Sequence, residues 1–90
     1  MSKEILNQIE KLNLKILEES ENTDLLHARA ELFTKIQNHS KAINDYLTIL
    51  KFNPHDKIAE VKLDMLRTIV RYTNIDIYAN PNTNMDPWLE

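Results

Sequence analysis

Residues 23–56 read TDLLHARAELFTKIQNHSKAINDYLTILKFNPHD, and the order of large and small side chains in this stretch decides how the chain folds. Leu26, Ala30, Phe33 and Gln37 recur at the three- and four-residue intervals that line up on one side of an α-helix. A second periodic run carries Ala42, Ile43, Tyr46, Leu47, Ile49 and Leu50, and it stops at Phe52-Asn53-Pro54, because proline disfavours helix at the residue before it. Two helices joined by a short polar turn form an antiparallel hairpin. Alanine at 30 and at 42 leaves room for the two to approach closely. Thr23 or Asp24 is the expected cap of the first of these helices and Ser40 the cap of the second.

Outward from this hairpin the helical period continues on both sides. Ile5, Ile9, Leu12 and Ile16 form a stripe on an upstream helix that starts at Ser2, with Leu6 and Leu17 widening it. Downstream, a helix opens after Asp56 and runs to about Tyr72. It bears Ile58, Val61, Met65 and Ile69 on one side and Ala59, Leu63, Leu66 and Val70 on another. No stretch alternates with the two-residue period of a strand, so the expected class is all-α. The chain has no glycine at all. Asn22, Asn38, Asn53 and Asn74 fall near the expected helix ends, where asparagine is the next best residue for a left-handed cap. Residues from Asn74 on are turn-rich, and Asn80-Pro81-Asn82-Thr83-Asn84 reads as a loop.

The length of 90 residues accommodates one domain. An apolar fraction of 42% against 28% charged matches a water-soluble globular chain and excludes collagen-like and low-complexity classes. The lack of glycine excludes the Walker loop and the dinucleotide fingerprint, in which backbone amides must approach a phosphate. The lack of cysteine excludes a disulfide framework, a thiolate zinc site and a thiol nucleophile. No apolar leader follows Met1 and no uninterrupted apolar run is long enough for a membrane span. A cytoplasmic location is the expectation. Net charge is −3, and it is divided: residues 1–34 carry four basic and seven acidic groups, residues 35–71 seven basic and four acidic, and residues 72–90 three acidic and no basic group. This is unlike a nucleic-acid binder, whose basic residues gather on one face, and it suits complementarity between segments or copies.

The intervals within 23–56 resemble those of one tetratricopeptide repeat, a 34-residue helix–turn–helix unit. Leu26 stands where that family favours tryptophan, Ala30 at its small glycine, Phe33 at its tyrosine, followed by Ala42, Tyr46 and Pro54. Arg29 and Ile49 depart from it, standing where the family prefers leucine and alanine. The resemblance implies a right-handed helical repeat at 23–56 within a domain spanning 1–74. An N-terminal helix and a C-terminal capping helix at 57–73 flank it, and a tail at 75–90 is folded back or disordered. It also implies a non-catalytic adaptor that holds a protein or peptide in a groove lined by the first helix of each repeat. That concave face comprises Asp24, His27, Glu31 and Lys35 on one helix and Ile58, Val61, Lys62, Met65 and Ile69 on the other. As a terminal unit, the last helix is expected to keep Glu60, Asp64, Arg67 and Arg71 in water.

Other chemistry finds little to build on. His27 and Glu31 sit one helical turn apart, a spacing used in zinc sites, but no third ligand is near, and the expectation is no metal and no cofactor. Ser2, Ser20 and Ser40 read as caps or loop residues, so no nucleophile, base and orienting group come together and no enzyme is expected. The alternative to an adaptor is a self-associating structural subunit, in the simplest case a homodimer, because a lone repeat buries little surface. Met85, Trp88 and Leu89 are expected to dock on the apolar stripe of the last helix. The expected partner is a protein or peptide, with neither nucleic acid nor membrane.

Overall fold

The computed structural model describes the backbone of residues 2–79 and the side chains of residues 3–72. Four helices follow one another, α1 (Ser2–Glu18), α2 (Thr23–Lys35), α3 (His39–Phe52) and α4 (Lys57–Ala79). No strand occurs among the described residues. Turns of three or four residues reverse the chain each time, so each helix packs against the one before it.

The core lies where the periodic stripes meet. Leu26, Ala30 and Phe33 of α2 face Ala42, Tyr46 and Ile49 of α3, and Ala59, Leu63 and Leu66 of α4 close the other side. Ala30 and Ala42 are both wholly buried, as a close α2–α3 approach requires. From α1, Ile9 is buried, with Ile5 and Ile16 partly so. Leu6 and Leu17, expected to widen that stripe, are instead 53% and 81% exposed. α1 packs mainly on α2, and one main contact covers only a narrow stripe of a helix.

The ends of the helices correct the reading of asparagine as a stand-in for glycine. Asn22 and Asn38 are N-caps, with φ of −80° and −90°, and their side chains accept the backbone N–H of Asp24 and of Lys41. Asn53 has φ −137° and is likewise not left-handed. The cap of α2 is therefore Asn22 rather than Thr23 or Asp24, and that of α3 is Asn38 rather than Ser40. The left-handed residue is Gln37, with φ 61°. The N–H of Gln37 bonds to the Thr34 carbonyl and that of Asn38 to the Phe33 carbonyl, closing a Schellman motif. In so short a turn the residue after the left-handed position already serves as N-cap of the next helix. Asn38 takes that second role and leaves the strained one to glutamine.

α4 is longer than its spacing suggested. It continues through Asn74 to Ala79, so residues 75–79 extend the helix and the expected boundary at 74 falls inside it. Met85, Trp88 and Leu89, the residues expected to dock on α4, lie outside the described residues.

Candidate functional site

α2 and α4 each turn one face to the same side of the molecule, and polar contacts join them there. The intervals 27, 31 on α2 and 58, 62 on α4 are each one helical turn, which stacks these side chains in rows. His27 Nε2 lies 2.8 Å from Asp56 Oδ2 in the turn before α4. Asp56 also accepts the backbone N–H of Ala59 through Oδ1 at 3.0 Å, as an N-cap side chain does. The bond to His27 and that to Ala59 together lower the Asp56 carboxyl from its ordinary value. One turn further on, Lys62 Nζ reaches Glu31 Oε2 at 3.0 Å, and the Tyr46 hydroxyl donates to the same oxygen at 3.4 Å. Lys62 is the main reason that Glu31 is held below the usual carboxylate range. Tyr46, buried and close to that carboxylate, has its hydroxyl pushed well above the ordinary tyrosine value, chiefly by desolvation. The His27 ring meets Tyr46 edge-on at 5.8 Å.

Of the expected concave face, then, His27, Glu31 and Lys62 come together across the two helices. Asp24 and Lys35 stay in solvent at the two ends of α2. The apolar members form a separate surface. Ile58, Val61, Met65 and Ile69 are 62%, 65%, 46% and 37% exposed, and Tyr72 continues the row at 63%. The opposite stripe of the same helix, Ala59, Leu63 and Leu66, is buried against the core. α4 is thus apolar on two sides while one of them is packed. Glu60, Asp64, Arg67 and Arg71 lie on a third side of the helix and are exposed, as expected.

One cluster escaped the sequence reading. Arg29 donates through Nε and Nη2 to Asp45 Oδ2 and Oδ1 at 2.9 and 2.6 Å, and through Nη1 to Asn13 Oδ1 at 2.8 Å. Asp45 is 4% exposed, so this fork binds α1, α2 and α3 around a buried carboxylate. The guanidinium and the Lys41 ammonium both lie within 6 Å of the Phe33 ring centroid, at 5.8 and 5.7 Å. Nothing local in the sequence announced it, since Arg29 and Asp45 lie 16 residues apart on different helices.

Among the described residues no group of three or more His, Asp or Glu is placed to hold a metal ion. His27 and Glu31 instead face Asp56 and Lys62. No helix among the described residues is long and apolar enough to cross a membrane. No family model, no curated protein and no solved structure matches this chain.

Proposed function

We propose that this chain is a non-catalytic interaction module, built around one tetratricopeptide-like repeat at residues 23–56 with α1 and α4 as flanking helices, that takes a protein or peptide segment on the open face of α4. The observation that carries the reading is the row Ile58, Val61, Met65, Ile69 and Tyr72, exposed along a helix whose other apolar stripe is already buried. Leaving so much aliphatic and aromatic surface in water is disfavoured unless something covers it, and a contiguous patch of this kind marks an interaction site. The bridges His27–Asp56 and Glu31–Lys62 border the row on its α2 side and hold the two helices in register. Support for the repeat comes from the burial of Leu26, Ala30, Phe33, Ala42 and Tyr46, the positions on which the pattern depends. The departure at Arg29 is compensated by Asp45.

The titratable groups on this face are engaged with one another, which suits binding by shape and apolar contact rather than by reaction. Cytoplasmic location and the absence of cofactor, nucleic acid or membrane among its partners belong to the same reading. Selection of a displayed random peptide library against the chain tests it. Peptides with apolar residues at helical spacing are expected to enrich and to lose about tenfold or more in affinity against Val61→Lys/Met65→Lys. Enriched peptides that bind this variant as well as the wild type would overturn the assignment of the face.

A further inference from the structure

A concave region lies away from α4, on the other side of the α2–α3 hairpin. Because α1 packs mainly on α2, a wedge stays open between α1 and α3, with Phe33 of α2 and Ile36 just after it at the base. Two cavities meet in this wedge, of about 300 and 460 Å³, and both have Asn13, Phe33 and Lys41 in their walls. Each has the size that small ligands occupy, roughly 300–1,000 Å³.

The smaller cavity closes at the fork between Arg29 and Asp45. Arg29 directs three of its five N–H groups to Asp45 and Asn13, which leaves one on Nη1 and one on Nη2 without a partner among the described residues. Both oxygens of Asp45 are taken by the fork, so this acid is already matched. Asn13 accepts through Oδ1, and its amide N–H groups are left over as well. The Lys41 ammonium lies 5.7 Å from the Phe33 ring centroid, and no carboxylate pairs with it among the described residues. Apart from the Asn44 amide, the polar side-chain groups left over here are donors, and they carry one uncompensated positive charge. That is the chemistry that receives a carboxylate. The larger cavity has the opposite character. Leu6, Ile9, Phe33 and Ile36 line it, and Leu6, which the α1–α2 contact leaves 53% exposed, stands on its wall. Lys3 and Glu10 on the same wall are exposed and opposite in charge, so they cancel.

We propose that this wedge is a binding site for a small apolar carboxylate, its head on Lys41 and the free N–H groups of Arg29, its apolar body along Leu6, Phe33 and Ile36. The site is separate from the α4 face and does not rest on the function assigned there. The fold preforms it in two ways. The fork ties Asn13 of α1 to Asp45 of α3 through one guanidinium and so sets the spacing of the two walls at the closed end. The Phe33 ring holds both cations beside the cavity, Arg29 at 5.8 Å and Lys41 at 5.7 Å. From Lys3 to Asn13 the α1 wall runs ~15 Å at 1.5 Å per residue, so an apolar chain can lie against it while its head reaches the fork. An ammonium on the same chain would meet Lys41 and Arg29 with like charge, so the head group decides what is accepted.

The test uses the full chain, with octanoate as the probe and octylammonium as its cationic counterpart, each followed through the backbone amide signals in a nitrogen–proton correlation spectrum. Octanoate at millimolar concentration is expected to move the signals of Asn13, Phe33 and Lys41 saturably, and octylammonium is not. Lys41→Met keeps the stem and removes the charge, while Leu6→Glu puts an acid at an exposed site on the apolar wall. Each should weaken octanoate about tenfold or more, with far-ultraviolet helicity showing that both variants fold. If one of them does not, the other and the cationic probe still decide. Val61→Lys/Met65→Lys on α4 should bind octanoate as the wild type does. Equal binding of the two probes, no saturable shift with octanoate, or a folded Lys41→Met that binds like the wild type would overturn the site. Shifts that vanish in Val61→Lys/Met65→Lys would overturn it too, since they would put octanoate on α4.

Discussion

Where α1, α2 and α3 meet, a carboxylate is buried and fully matched, whereas along α4 a row of apolar side chains is left in water. Asp45 is 4% exposed and receives two bonds from Arg29, while Val61 on α4 is 65% exposed. Both arrangements invert the usual partition of polar and apolar groups. The difference lies in what completes them. The buried pair is completed within the chain, so its consequence is stability and register. The open row is exposed among the described residues, and the consequence proposed for it is association. A chain of this size has little surplus stability.

The largest effect is expected at Arg29. Arg29→Ala leaves Asp45 buried without its partner, and loss of one member of such a pair costs about 3–5 kcal/mol. Chemical denaturation should therefore show most of the chain's stability gone, and a variant within about 1 kcal/mol of wild type would mean that the carboxylate is hydrated. Next comes the α2–α3 contact. Ala42 is wholly buried opposite Ala30, and Ala42→Leu should cost about 1–3 kcal/mol in the same measurement, since added bulk must push the two helices apart. A variant that melts like the wild type would show that the small residues do not set the approach.

Gln37 offers a change of the opposite sign. Its φ of 61° carries the steric cost of the left-handed region, about 1–2 kcal/mol for a residue with a β-carbon. Gln37→Gly removes that cost and adds back part of it as unfolded-chain entropy, for a net gain of about 0.5–1 kcal/mol. A loss of stability would mean that the Gln37 side chain contributes contacts of its own.

The bridges between α2 and α4 should give the smallest effect. The carboxyls of Glu31 and Asp56 are lowered in the folded chain. The stability they contribute is fully present above their ordinary values of 4.5 and 3.8 and is lost as pH falls through the folded values. Glu31→Gln should flatten the acid limb of a stability-against-pH curve by lowering stability near neutrality, within the ~0–1 kcal/mol that exposed pairs are worth, and should change nothing below the folded value. A larger loss at neutral pH would mean that these bridges carry more of the fold's stability than exposed pairs do.

The periodic stripes were legible because burial follows the 3.6-residue repeat directly: Leu26, Ala30, Phe33, Ala42, Tyr46, Ala59, Leu63 and Leu66 are where their spacing put them. The helix ends were less so, because two neighbouring polar residues compete for two roles. Asn38 could serve as left-handed stop or as N-cap, and only the three-residue length of the turn assigns it to the second. Leu6 and Leu17 misled because one contacting helix covers too narrow a stripe of α1 to use them. In the candidate site, the exposed row of α4 and its charged third side could be read as positions on a helix. The fork between Arg29 and Asp45 could not, since residues 16 apart on different helices have no local signature. The end of α4 was hidden for a related reason, as Asn74 resembles a terminus but costs a helix interior well under 1 kcal/mol relative to alanine.

An interaction role for α4 requires its apolar row to be open surface in the single chain. The chain has three methionines, so methyl labelling of methionine with a soluble paramagnetic agent reads Met65 directly, its signal assigned by Met65→Leu. At the lowest concentration the Met65 methyl should be strongly relaxed by the agent, and it should become protected when an enriched peptide is added. A Met65 methyl already shielded at the lowest concentration, with no change when the peptide is added, would contradict an open α4 face.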